Sequence, residues 1–304
     1  MSNLNTIISI LAAVVLFVFS LTGFSNELKN VGADKLSKWL SNLTRNRVYG
    51  FLAGVFITAI IQSSSAVSSI TVALIDAGVI SFANSLSILI GANVGTTFTA
   101  WLVAFKISNL GSILIVLGTL ISILPFRINL AGKSVFYLGL ILFSLEQISY
   151  AIKGISNNEL FLQILAYSNY AIIGILAGAL LTAIIQSSSV ITGLVIILSQ
   201  QDLIGLYGAI AVIIGSNLGT TSTALIAAIK FKEHAKKAAK ANVFFNLTGI
   251  LMFVPFLSVF TNIVNSFNVA LPYKIAIAHL LFNTITALVF LLFLNHLAKW
   301  LQRL

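Results

Sequence analysis

The chain has 304 residues, 59% of them hydrophobic and 8% charged, with a mean hydropathy of +1.06. A soluble domain carries about 25% charged residues, and a membrane β-barrel needs short alternating segments. Continuous apolar runs near the ~20 residues that cross a bilayer exclude both and give an all-α polytopic membrane protein.

The net charge of +10 gathers in a few loops, as cytoplasmic loops do, so it does not call for nucleic acid. The absence of cysteine excludes disulfides and thiolate metal sites. In chain order, the first apolar run (Thr6–Phe24) has no basic leader and no small-residue cleavage pattern. It reads as a retained helix rather than a signal peptide. Glu27–Arg47 follows, where Leu36, Trp39, Leu40 and Leu43 recur at helical spacing among Lys29, Lys35, Lys38 and Arg45; this pattern predicts an amphipathic helix at the interface. Phe51–Val79 and Ile80–Phe105 come next, then the spans Ile107–Phe126 and Leu130–Ile152 around a turn with Pro125, Arg127 and Lys133. A polar stretch, Lys153–Ser168, leads into Tyr170–Leu198 and Leu203–Ile229. A basic loop (Lys230, Lys232, Lys236, Lys237, Lys240) precedes the spans Ala241–Phe260 and Tyr273–Leu297. No Pro-, Gly- or Ser-rich linker interrupts the chain. One transmembrane domain over 1–304 is expected, with an N-terminal part (1–50) and two repeats (51–152 and 170–297).

The repeat organises everything else. Ile60-Ile61-Gln62-Ser63-Ser64-Ser65 recurs as Ile184-Ile185-Gln186-Ser187-Ser188-Ser189, 124 positions later. The same offset carries Gly91-Ala92-Asn93-Val94-Gly95-Thr96-Thr97 onto Gly215-Ser216-Asn217-Leu218-Gly219-Thr220-Thr221 without a gap. Internal repetition decides an architecture before any single element does. Here the identities gather on Gln, Ser, Asn and Thr, whereas two copies of a packing unit would share apolar periodicity. A fainter echo links Ala241-Asn242-Val243-Phe244-Phe245-Asn246 to Ala278-His279-Leu280-Leu281-Phe282-Asn283, so each repeat is expected to end in a related helix.

If Phe51–Val79 crossed the membrane, Gln62, Ser63, Ser64, Ser65, Ser68, Ser69 and Thr71 would crowd the bilayer centre. A re-entrant helical hairpin places them at its tip, where irregular backbone is tolerated if it lines a cavity. Charge does not choose, because either scheme puts all but three of the Lys and Arg on one face. That face is read as cytoplasmic. With hairpins the repeats are inverted, the N-terminus lies outside and the C-terminus in the cytoplasm. Gly91, Gly95, Gly215 and Gly219 are expected to break each following helix.

Helix N-termini at two such tips offer free N–H groups to an anion, and Ser, Gln, Asn and Thr oxygens suit a small hard cation. A lone Ser-Ser-Ser in a membrane helix is more often a packing surface or a back-bonded hydroxyl; two copies of both motifs in one order reverse that balance. Glu146, His279, Asn246 and Asn283 also lie within apolar runs, where ionisable groups are functional candidates. Glu146 could equally sit near a helix end with Lys153. Asp76 and Asp202 read as interfacial turns.

From Phe51 to Leu297 these motifs, with Phe-Asn-Leu-Thr-Gly and Ala-His-Leu-Leu-Phe-Asn, resemble the type II sodium–phosphate cotransporters and their bacterial relatives. The resemblance implies inverted repeats and sodium-driven symport of inorganic phosphate across the plasma membrane by alternating access. It places phosphate on Gln62, Ser63, Ser64, Ser65, Gln186, Ser187, Ser188 and Ser189. It places sodium on Gln62, Ser65, Asn93, Thr96, Thr97, Gln186, Ser189, Asn217, Thr220 and Thr221. Sodium is the coupling ion and no other cofactor is implied; the partners are phosphate, sodium and the lipid bilayer, with a homodimer left open. Transport of another small oxyanion, such as sulfate or arsenate, and passive conduction remain alternatives. An enzyme is not expected, since no base neighbours these serines in sequence.

Overall fold

The apolar sequence folds into helices throughout. In the computed structural model, which describes residues 3–43, 46–105, 109–124 and 128–303, with side chains for 5–28, 46–105, 109–124 and 131–301, no strand occurs among the described residues. The elements are α1 (Asn3–Leu43), α2 (Arg47–Ile61), α3 (Ser64–Asp76), α4 (Phe82–Ala104), α5 (Leu110–Ile123), α6 (Ile128–Lys153), α7 (Glu159–Ala166), α8 (Ala171–Ile185), α9 (Ser188–Gln200), α10 (Leu206–Ala228), α11 (Glu233–Phe253), α12 (Leu257–Asn265) and α13 (Leu271–Arg303). Six helical stretches among the described residues are long and apolar enough to cross a membrane, which makes this a multi-pass membrane protein.

The two copies fold alike. Asn46 caps α2, its Oδ1 accepting from Val48 N at 2.9 Å, and α2 stops where Gln62 turns left-handed at φ 58°. Ser63 is extended (φ −149°) and caps α3 through Oγ, which accepts from Ala66 N at 3.2 Å. In the second copy Gln186 has φ 58° and Ser187 φ −148°, between α8 and α9. A left-handed glutamine is uncommon, and here it redirects the chain twice at the same motif position.

One expectation is corrected. The glycines of the second motif do not break their helices: α4 and α10 run unbroken for 23 residues each. Gly91 and Gly95 instead face the backbone of α2 at Phe51 and Val55, and Gly215 and Gly219 face α8 at Ile175 and Ala179. A Cβ at any of the four would collide with that backbone. Their smallness lets two helices touch, the usual reason for small residues at membrane helix contacts.

These contacts fix direction as well as distance. Gly50 meets Ser87 and Val55 meets Gly95, so α2 runs parallel to α4, and five residues connect the end of α3 to the start of α4. Asp76 at the end of α3 accepts from Lys232 N at 2.6 Å, just before α11, while Phe105 beyond the end of α4 packs on Tyr273 near the start of α13 (ring centroids 5.7 Å apart). The core has two parts: Phe17, Ile196, Ile210 and Ile213 centre one, and Leu86, Ile88, Phe245 and Leu294 the other.

Other boundaries shift for visible reasons. The expected span at 107–126 contains a helix of only 14 residues, α5, which packs along α6 through Gly111 and Gly118. The polar stretch before the second copy is largely helix α7, which with the 3-10 turn after it meets α8 at 108°. Most of the basic loop is the first turns of α11, because Ala235, Ala238 and Ala239 bury one face and leave the lysines on the other. Pro255 sits in a 3-10 turn joining α11 to α12, so the apolar stretch extends to Asn265. The backbone of α1 continues through the region read as interfacial. The amphipathic face at Leu36, Trp39, Leu40 and Leu43 lies outside the residues whose side chains are described.

Candidate functional site

The left-handed glutamines bring the two Gln-Ser turns to one place. A cavity of about 270 Å3 is lined by Gln62 and Ser63 from the first turn and by Gln186, Ser187 and Val190 from the second. Its third side is α1, at Leu21, Thr22, Ser25 and Asn26. Among the described residues, no charged side chain lines it. Neither Lys nor Arg occurs from Tyr49 to Phe105 or from Tyr170 to Ile229, the runs holding both motifs.

Around the cavity, each half reaches into the other. Thr99 Oγ1 on α4 donates to Gln62 Oε1 at 2.8 Å and lies 3.2 Å from Ser189 Oγ of the opposite copy. The repeat offset carries that second contact onto Thr223 and Ser65, whose hydroxyls are 3.4 Å apart. Ser65 Oγ also donates to the Gln186 carbonyl at 3.3 Å. Gln62 Nε2 folds back onto the Ala59 carbonyl. The copies are not equivalent in exposure: Gln62 is buried while Gln186 is exposed, and Ser63 caps its helix while the Ser187 side chain makes no cap. The first N–H groups of α9 therefore keep their capacity for an anion. Ser64 and Ser188, the first residues of α3 and α9, are buried.

The remaining expected site residues gather elsewhere. Asn93 Nδ2 donates to Asn246 Oδ1 on α11 at 3.2 Å, and Asn217 Nδ2 donates to Asn283 Oδ1 on α13 at 2.9 Å. Each partner asparagine is tied one turn back along its own helix, Asn246 to the Asn242 carbonyl (2.8 Å) and Asn283 to the His279 carbonyl (2.9 Å). The faint echo in the tail is thus a matched pair of helices. Both follow the second copy in sequence, yet α11 pairs with α4 and α13 with α10. The hydroxyls of Thr96, Thr97, Thr220 and Thr221 back-bond to carbonyls of their own helices at 2.7–3.1 Å. Thr97 also borders an apolar groove beside Phe98 and Trp101, away from the Gln-Ser cavity.

Sequence reasoning passed over Thr99, Thr223 and the α1 residues. It also passed over Thr58 and Thr182, one turn before each glutamine, which are fully buried with hydroxyls lacking a partner among the described residues. The signal for them was present: threonine stands four residues before Gln in both copies. Glu146 lies apart, accepting from Asn109 N at 3.1 Å and lining a separate cavity of about 310 Å3 with Lys153, Tyr150 and Gln200. His279 is buried, and neither ring nitrogen has a partner among the described residues.

Comparison with known proteins gives this arrangement its context. The chain is 33% identical over 289 residues to uncharacterized protein YqeW of Bacillus subtilis (strain 168), covering 94% of each. It is 26% identical over 298 residues to the putative inorganic phosphate export protein YjbB of Escherichia coli (strain K12), covering 97% of this chain and 55% of that protein, so it spans about half of YjbB's length. Over a shorter stretch of 84 residues, 26% of this chain and 14% of the relative, it is 44% identical to sodium-dependent phosphate transport protein 2C of Homo sapiens. No solved structure matches the chain. The model of the Na+/Pi-cotransporter family matches residues 16–150 and 146–262, most of the chain including both Gln-Ser turns, and the protein therefore belongs to that family.

Proposed function

We propose that this protein is a secondary transporter that moves inorganic phosphate with sodium across the plasma membrane by alternating access. The observation that carries the reading is the cavity of about 270 Å3 at which both Gln-Ser turns converge. In it Gln62, Ser63, Gln186 and Ser187 offer amide and hydroxyl donors to an oxyanion, and the turn N–H groups add partial positive charge. Ser64, Ser65, Ser188 and Ser189 begin the two helices that point at it. Sodium takes the oxygens of the same turns, with Asn93, Thr96, Thr97, Asn217, Thr220 and Thr221 as the outer candidates.

The copies act as inverted repeats, each with a re-entrant hairpin. Support comes from the parallel course of α2 and α4, and from the tie between Asp76 and Lys232, which sets the end of α10 beside the start of α4. The basic face is cytoplasmic, with the N-terminus outside and the C-terminus inside. A carrier whose halves exchange reciprocal contacts at one site, Thr99 with Ser189 and Thr223 with Ser65, has a natural rocking element.

Coupling follows from charge. Phosphate at neutral pH carries between one and two negative charges, and isolated charges pay heavily for leaving water. With no Lys or Arg in either motif run, co-bound sodium supplies the compensation. The likeness to the putative inorganic phosphate export protein YjbB favours a second reading, export, in which the same site runs outward on the prevailing gradients. Uptake of labelled phosphate, sulfate and arsenate into proteoliposomes, with inward or outward sodium gradients, tests all of this. Phosphate flux that follows the sodium gradient is expected; flux indifferent to sodium would refute the coupling, and preference for sulfate would refute the substrate.

A further inference from the structure

We propose that α1, which lies outside both Gln-Ser motifs, supplies a third wall of the oxyanion site, with Ser25 and Asn26 as phosphate ligands. The inference rests on the reading of the Gln-Ser cavity as the phosphate site and extends it to residues outside both motifs.

Hydroxyls in membrane helices ordinarily back-bond to the carbonyl one turn earlier. On α1, Ser20 does so to Leu16 (2.6 Å) and Thr22 to Val18 (2.8 Å). Ser25 does not. Its side chain is 5% exposed, its Oγ has no hydrogen-bond partner among the described residues, and it borders the cavity between the glutamines. A buried hydroxyl without a partner is costly and in a native fold marks a missing partner. An oxyanion in this cavity is a chemically matched one, because the hydroxyl can donate to it. Asn26, the next residue, borders the same space with an amide that also donates and is exposed enough to turn toward a ligand.

α1 is built to hold this position. Phe17, fully buried, lies over Gly193 on α9, and Gly23 takes the ring of Tyr137 from α6. α9 of the second copy and α6 together therefore hold α1 against the second Gln-Ser turn. The cavity is correspondingly lopsided: Val190 of the second copy lines it, while its repeat counterpart Ala66 does not. Two symmetric turns alone would present a two-sided cleft. The α1 wall closes a third side and adds donors without adding charge.

The chain has no cysteine, so single cysteines report cleanly. In proteoliposomes with sodium present, Asn26→Cys is treated with a small methanethiosulfonate with and without saturating inorganic phosphate. The expected result is at least fivefold slower modification with phosphate; equal rates, or no modification at all, would overturn the proposal. Ser25→Ala is expected to raise the phosphate KM about tenfold, the worth of one hydrogen bond, with Vmax within about twofold. Ser25→Thr, which restores the hydroxyl, is expected to return KM to within about threefold of the parent. If Ser25→Ala is not recovered as a monodisperse protein, Ser25→Thr and the cysteine decide between the same outcomes. Gln62→Ala separates the two levels of the argument. An inactive Gln62→Ala beside an unaltered Ser25→Ala defeats the α1 wall alone, whereas a fully active Gln62→Ala defeats the reading of the cavity itself.

Discussion

Valine in place of Thr99 keeps the shape of the side chain and deletes a hydroxyl that touches both copies of the motif. In the parent that hydroxyl donates to Gln62 Oε1 at 2.8 Å and meets Ser189 Oγ at 3.2 Å. Gln62 is 8% exposed, which limits how far water can replace the lost donor. A buried acceptor left unpaired costs about 1–3 kcal/mol, and each 1.4 kcal/mol is a factor of ten. If the turn must keep this pose to bind, Thr99→Val lowers phosphate affinity about 5- to 150-fold. The repeat supplies its own control. Thr223 reaches Ser65 at 3.4 Å, and Gln186 is exposed and can be solvated, so Thr223→Val is expected to cost less than about 1 kcal/mol, under fivefold. The assay is the phosphate dependence of sodium-driven uptake into proteoliposomes, with both variants reconstituted at equal density. A silent Thr99→Val, or equal effects at the two positions, would refute the reasoning from burial.

Gln62→Ala and Gln186→Ala are each expected to abolish uptake, because both line a single cavity; one variant transporting normally would point to two independent sites. Gly215→Ala drives a methyl into the α8 backbone at Ile175 and is expected to cost about 1–3 kcal/mol, read as a lowered melting temperature in detergent. An unchanged melting temperature would contradict the close helix contact. For topology, single cysteines at Val48, Ser81 and Asn157 are expected to react with an impermeant thiol reagent from the cytoplasm, the cytoplasm and outside respectively. Val48 is preferable to Gly50, which packs on Ser87, and labelling of Ser81 from outside would defeat the hairpin.

What the sequence made legible was what the repeat encodes in polar letters. Gln62 and Gln186 end their helices, as the clustering of hydroxyls at mid-run suggested, and the echo between Asn246 and Asn283 identified helices that pair with Asn93 and Asn217. Glycine misled for a physical reason. The same residue that permits a broken helix also permits helices to touch, and a pattern cannot say whether a neighbour stands opposite. That neighbour, α2 or α8, sets the register that brings Thr99 level with Gln62. Thr99 and Thr223 lie two residues beyond the Thr-Thr of the motif, and nothing local distinguishes them from the threonines that back-bond. Ser25 was invisible because it lies outside the recurring polar motifs, one hydroxyl at the end of the first apolar run.

The central claim is that one site holds phosphate and sodium together because its described walls carry no charged side chain. Isothermal titration of purified protein with phosphate, in sodium and in choline buffer, tests it directly, and sodium titrated with and without phosphate closes the cycle. Linkage requires each ion to tighten the other by the same factor. The account predicts phosphate binding at least tenfold tighter in sodium, with sodium tightened equally by phosphate; equal phosphate affinity in sodium and choline would contradict it.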